Sequence, residues 1–139
     1  MRLIVFTITV LLSLHLSAQN SMNDLSTQLS TGKTYGAYCG IAGKHPPARI
    51  KTEKLILKED INELTSWLSS PNLVIQTYAA EGIIRLQNDG HTIPEEVVII
   101  VLQIKAKEDL ISTCKGCFYE ELSIRECLVD FEFIDDINE

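Results

Sequence analysis

Basic residues are scarce: twelve Lys and Arg stand against nineteen Asp and Glu, for a formal net charge of −7. So acidic a chain lacks the positive surface that a phosphate backbone demands, and nucleic acid is not an expected partner. Aromatics make up only 6% of residues, with Trp67 the single tryptophan. The longest apolar run, Leu3 to Leu16, is shorter than the roughly 20 residues a membrane-spanning helix needs. The serines sit in no nucleophile-elbow pattern. Thr31-Gly32-Lys33-Thr34 looks like part of a phosphate loop. Such a loop needs a glycine five positions before Gly32, where Thr27 stands, and no apolar strand leads in.

Candidates for catalysis or metal binding are equally thin. His45 precedes Pro46-Pro47 and His91 follows Gly90, so both belong to turns where a polar residue simply faces water. Glu95-Glu96, Glu120-Glu121 and Asp135-Asp136 read as a helix start, a solvated face and an acidic tail, and the last lacks the ligand spacing of a calcium loop. No catalytic residue, no metal ligand set and no cofactor is expected. The chain reads as non-enzymatic.

Its N-terminus does carry a signal. Met1-Arg2 supplies a positive start, Leu3 to Leu16 an apolar core and Ser17-Ala18-Gln19 a small residue before a polar one: a secretory signal peptide cleaved after Ala18. No basic stop-transfer cluster follows, so no stable membrane insertion is expected after cleavage; His15 leaves with the peptide. The first cysteine is Cys39, too far along to take a lipid at the cleavage point. Export to the periplasm or the exterior is the expected fate. Loss of Arg2 takes the formal charge to −8, since eleven basic residues then face nineteen acidic ones. Residues 19–34 are expected as a flexible leader and 35–139 as one domain. Within it, 35–46 forms an irregular segment packed on the body through Tyr35, Tyr38 and Ile41.

From Pro46 onward the chain is a succession of helix starts and stops, which predicts an all-α domain. About five helices are expected, near 47–58, 60–69, 72–88, 93–107 and 118–131. Pro47 suits a first turn, and Asp60 with Glu63 and Thr92 with Glu95 have capping-box spacing. Ile75, Ala79, Gly82, Ile83 and Leu86 share a stripe whose small members allow a second helix to come close. Val97 to Leu102 has the composition of a buried strand, but Pro94 before it and Lys105 and Lys107 after it favour a helix, one so apolar that it should be central. Ile124, Leu128 and Phe131 set the stripe of the last helix.

The stretch Leu64 to Gly90, a short helix, a Ser-Pro turn and a second helix with small residues at its packing face, resembles a HEAT-type helical repeat. One clear unit covers about 60–88, and a looser one 92–131. The resemblance implies a small bundle of helical hairpins and, for function, protein or peptide binding.

Four cysteines remain, Cys39, Cys114, Cys117 and Cys127. In an exported chain they are candidates for structural disulfides, and local closure of Cys114 with Cys117 around Gly116 is the expected pairing. A zinc site of Cys114, Cys117, Cys127 and one of Cys39, His45 or His91 is an alternative, as is a redox dithiol with Cys114 at the start of the last helix. Haem attachment is excluded because Phe118, not histidine, follows Cys117. Trp67 is either core or part of a surface recognition patch. The expected function is an exported module that binds a protein or peptide or serves as an accessory subunit of the cell envelope. A small thiol–disulfide protein using Cys114 and Cys117 is the second reading.

Overall fold

The computed structural model describes residues 32–133. The expected signal peptide, most of the expected 19–34 leader and the acidic end with Asp135-Asp136 lie outside the described residues.

Helix starts follow local chemistry. Helix α1 (Pro47–Leu57) opens on two prolines, whose missing N–H groups need no partner in a first turn. It stops where Glu59 takes a positive φ of 55°, letting the Asp60 N–H reach the Leu55 carbonyl at 2.9 Å. Helix α2 (Ile61–Trp67) is capped by Asp60, which accepts from the Glu63 N–H at 3.0 Å. The reciprocal half of the expected box is not made. Glu63 instead accepts from the Trp67 indole N–H at 3.1 Å. Helix α3 (Leu73–Asn88) is capped by Asn72 and ends at Gly90, whose φ of 94° only glycine adopts freely.

The apolar run 97–102 is helical and lies in α4 (Glu95–Lys105). Its cap differs from the expectation: Pro94 takes the N-cap position, with no side-chain hydrogen bond from Thr92. Nor is α4 central. Val97, Val101 and Ile104 are buried while Ile99, Ile100 and Leu102 face outward.

Helix α3 is the centre instead, packed against α1, α2 and α4. Ile75, Tyr78, Ala79, Ala80, Ile83 and Ile84 are all inaccessible or nearly so. A methyl group added at Gly82 would lie 3.1 Å from a Leu64 methyl and 3.5 Å from that of Thr52, so the small residue does permit the close approach of α1 and α2. Trp67 belongs to this core at 5% exposure, with the Lys51 ammonium 4.6 Å from its ring centre. It is not a surface recognition residue.

After α4 the all-α expectation fails. Leu110–Lys115 (β1) and Phe118–Ser123 (β2) form an antiparallel hairpin with Lys115 opposite Phe118. The chain is therefore mixed α and β, and the predicted helix 118–131 shrinks to one turn, α5 (Ile124–Cys127). The physical reason lies on either side of Ser123. Ile124 and Leu128 are buried at helical spacing, so that part of the stripe is real, whereas Phe118 to Glu121 are all exposed and give a helix nothing to bury. On β1, Ile111 and Thr113 are buried at the two-residue period of a strand. Gly116, with φ 61°, begins a two-residue Gly-Cys loop of the type that suits the strand twist. Ser123 and Glu126 then form a full capping box, which starts α5 and ends β2.

Candidate functional site

The segment before α1 runs parallel to β1. The Tyr35 N–H donates to the Ser112 carbonyl and the Cys114 N–H to the Tyr35 carbonyl, both at 2.9 Å. Further along, the Gly116 N–H donates to Tyr38 at 3.1 Å and the Gly40 N–H to Gly116 at 2.7 Å. Cys39 thus lies opposite Gly116, diagonal to Cys114, and a disulfide joins Cys39 to Cys114 with their Cα atoms 5.4 Å apart. The expected Cys114–Cys117 closure is corrected by this pairing. Cys114 is a strand residue held on both sides, and Cys117 occupies the turn with a free, exposed thiol. Neither stands at a helix N-terminus, the position a redox dithiol would exploit.

Gly36 makes the contact possible. A Cβ there would come 2.3 Å from the Cys114 carbonyl oxygen and 2.7 Å from its sulfur. Beyond Cys39 the chain folds back so that Cys39 and Lys44 bridge antiparallel, leaving Ile41 at the loop tip. Two loop tips now stand together, since the Tyr119 hydroxyl is 3.9 Å from the Cβ position of Gly40. Their large side chains face solvent: Ile41 is 97% exposed, Phe118 80%, Tyr119 61% and Tyr38 47%. Of the three expected anchors only Tyr35 is buried; Tyr38 and Ile41 point outward. Lys44 and Lys115 flank the tips.

Tyr35 is the root of this end. Its hydroxyl donates to the Glu81 carboxylate at 2.7 Å, and its ring meets that of Tyr78 at 4.8 Å between centres. Arg49 donates through both terminal nitrogens to Glu81 and lies 4.9 Å from the Tyr78 ring centre. Arg85 closes the set by donating to both Glu53 oxygens at 2.7 and 3.0 Å. Two guanidinium groups and two carboxylates cancel in charge, and the buried pair, Arg49 and Glu81, is fully partnered, as buried charges must be, while Arg85 and Glu53 are part-exposed. Burial and the neighbouring Glu81 charge drive the Tyr35 hydroxyl far above its ordinary pKa, and burial pushes Tyr78 up to about 12. Neither is a general acid or base near neutral pH. The network is a fixture that holds strand and helices together, and sequence reasoning missed it because Arg49 and Glu81 lie 32 residues apart.

Beside the bridge, on the Thr113 face of the hairpin, lies a cavity of about 310 Å³ lined by Tyr38, Cys114, Lys115, Glu120, Leu122 and Cys127. Its size suits one or two side chains. Burial, aided by Glu126 and Glu120, pushes the Cys127 thiol up to about 11, so it is an apolar wall rather than a nucleophile. A second cleft of about 610 Å³ has apolar walls at Ile50, Leu57 and Phe131, and its floor is the Arg–Glu network already paired. His45 lines the second cleft, but among the described residues neither it nor His91 belongs to a metal-ligand group. The exposed His45 ring is 2.5 Å from the Ala37 carbonyl, and His91 lies 3.9 Å from Glu59. Among the described residues no group of three or more His, Cys, Asp or Glu could hold a metal ion, so the zinc alternative has no assembled site there. Among the same residues no helix is long and apolar enough to cross a membrane, and a disulfide of this kind is compatible with an exported chain. No family model matches the chain, and no curated protein or solved structure matches it.

Proposed function

We propose that the chain is an exported, non-enzymatic recognition module that binds a protein or peptide through its bridged end. The observation that carries this reading is a bridged end whose large side chains are left exposed, Tyr38 and Ile41 on the segment of Cys39 and Phe118 and Tyr119 on the two faces of the strand paired with that of Cys114, with Tyr38 also lining a cavity of about 310 Å³. Large apolar side chains held in water add nothing to the folded core, and where several recur at one end of a domain they mark an interaction site. A pocket that admits a partner's apolar side chain, ringed by polar groups, is where binding energy concentrates. The bridge contributes by fixing both loops before binding, so that little conformational entropy is lost on association. The apolar segment Leu3 to Leu16 and the disulfide support export.

Selection of a phage-displayed random-peptide library on the purified, oxidised protein tests the reading. Enriched peptides should lose at least tenfold in affinity for an Ile41→Ser/Phe118→Ser variant. A library that yields no binder, or binders indifferent to both substitutions, would overturn it. The thiol–disulfide reading has one observation in its favour, the exposed Cys117 thiol three positions from the bridge. It predicts catalysed reduction of insulin by the protein in dithiothreitol, where a binding module leaves the uncatalysed rate unchanged.

A further inference from the structure

Among the described residues, strand β2 has one side without a neighbour. Antiparallel pairing alternates, and the two-residue loop makes Lys115 and Phe118 the closing hydrogen-bonded pair. The main-chain groups of Phe118, Glu120 and Leu122 therefore turn toward β1, and those of Tyr119 and Glu121 turn away. The same alternation shows directly on β1, where Ser112 and Cys114 give their main-chain groups to Tyr35 on the opposite side. At the far end the Ser123 N–H is taken by the Glu126 carboxylate at 2.8 Å. Between these limits the N–H and C=O of Tyr119 and Glu121 bond no other main-chain group among the described residues.

We propose that this open edge is a strand-addition site, where an extended segment of a partner protein pairs with β2; this rests on the recognition role proposed for the bridged end and names its mode. An edge offering unpaired main-chain groups beside exposed side chains is what such partners use. The fold already accepts an added strand on the opposite edge of the hairpin, where residues 35–40 lie parallel to β1. The side chains of β2 define the partner's chemistry. Phe118 and Tyr119 are adjacent, exposed and on opposite faces, and Glu120 and Glu121 follow in the same arrangement. Cross-strand complementarity then calls for two neighbouring apolar residues next to two neighbouring Lys or Arg. A second copy of this chain is a poor occupant. Antiparallel pairing of β2 with itself about its middle sets Glu120 against Glu120 and brings the two Glu121 charges near, and like charges directly opposite are destabilising. The glutamates thus block self-association at a free edge while attracting a basic segment.

The peptides selected on the oxidised protein supply the probe. Proline at position 121 removes an outward N–H and leaves the β1 ladder untouched, which an edge strand tolerates. Selected peptides should carry the apolar-apolar-basic-basic pattern, lose at least tenfold in affinity for Glu121→Pro, and slow hydrogen exchange at the Tyr119 and Glu121 amides. Selection on Glu120→Lys/Glu121→Lys should instead enrich acidic residues at the basic positions. Peptides that bind Glu121→Pro as tightly as the parent, or leave both amides exchanging at the free rate, would refute strand addition. If those peptides still fail on Ile41→Ser/Phe118→Ser, the recognition role survives without it; a library with no binder overturns both. Should Glu121→Pro not fold, the amide exchange of the parent protein decides alone.

Discussion

Cys39 is bonded to Cys114 across 75 residues of sequence, and Cys117, three positions beyond Cys114, is left as an exposed thiol. The bridge ties the leading edge of the domain to the first strand of its hairpin. A long closed loop removes more unfolded-state freedom than the four-residue loop expected from sequence, so the bridge sits toward the upper part of the roughly 0–5 kcal/mol range on the chain-entropy model.

Thiol mapping follows directly. Proteolysis without reduction should release a linked peptide pair containing Cys39 and Cys114. At neutral pH iodoacetamide should label Cys117 fast and Cys127 slowly. Because Cys127 titrates at about 11, its labelling rate should climb with pH well beyond 9, the ordinary thiol value. A peptide containing both Cys114 and Cys117 in bridged form would contradict the pairing.

Much of the helical part was legible in the sequence. Pro47, Asp60 and Asn72 start helices where expected, and Gly90 ends one, because caps and breakers act through groups within a few residues. The hairpin was not. Ile124, Leu128 and Phe131 gave a helical period that masked a strand ending at Ser123, and the Gly116-Cys117 loop drew attention as a cysteine motif rather than as a turn. The width of the apolar run in α4 also misled: Ile99, Ile100 and Leu102 are apolar yet face outward, so composition did not report which elements lie on either side. Of the site, the cysteines and Tyr35 were visible as residues. Their pairing and the Tyr35–Glu81–Arg49 contacts depend on tertiary placement and left no local pattern.

The buried ion pair should behave asymmetrically. Glu81→Ala leaves Arg49 without its bidentate partner and Tyr35 without its acceptor, and should cost about 3–5 kcal/mol. The double variant Arg49→Met/Glu81→Leu should recover most of that loss in urea titrations, since neither charge is then stranded. A double variant as unstable as Glu81→Ala alone would mean that the network supplies net stability.

Acid should loosen the same region. Hydrogen bonds from Arg85, opposed by partial burial, hold Glu53 below its ordinary value of 4.5. A depressed folded-state pKa contributes stability that is present above 4.5 and is lost as pH falls through the folded value. The melting temperature should therefore drop between pH 5 and lower values, and an Arg85→Gln variant should show a shallower acid dependence. Cys127 acts in the opposite sense: its raised pKa contributes stability below 9 that fades as pH rises toward about 11.

Two glycines should part ways. Gly36→Ala drives a methyl group into the Cys114 carbonyl and sulfur and should cost about 1–3 kcal/mol, the usual penalty of overpacking. Gly82→Ala meets the Leu64 methyl groups at 3.1 and 3.2 Å, which must give by a few tenths of an ångström, and the Thr52 methyl at an ordinary 3.5 Å, and it gains up to about 1 kcal/mol in helix propensity, so it should be near neutral. Equal losses at the two positions, measured by thermal unfolding, would show that the strip beside β1 is not held as tightly as its contacts indicate.

The claim that the Cys39–Cys114 bridge builds one recognition surface from two loops is tested most directly by affinity with and without it. A Cys39→Ala/Cys114→Ala variant, checked for folding by circular dichroism, should bind the library-selected peptides at least tenfold more weakly than the oxidised parent. Unchanged affinity in a folded, bridge-free protein would contradict the account.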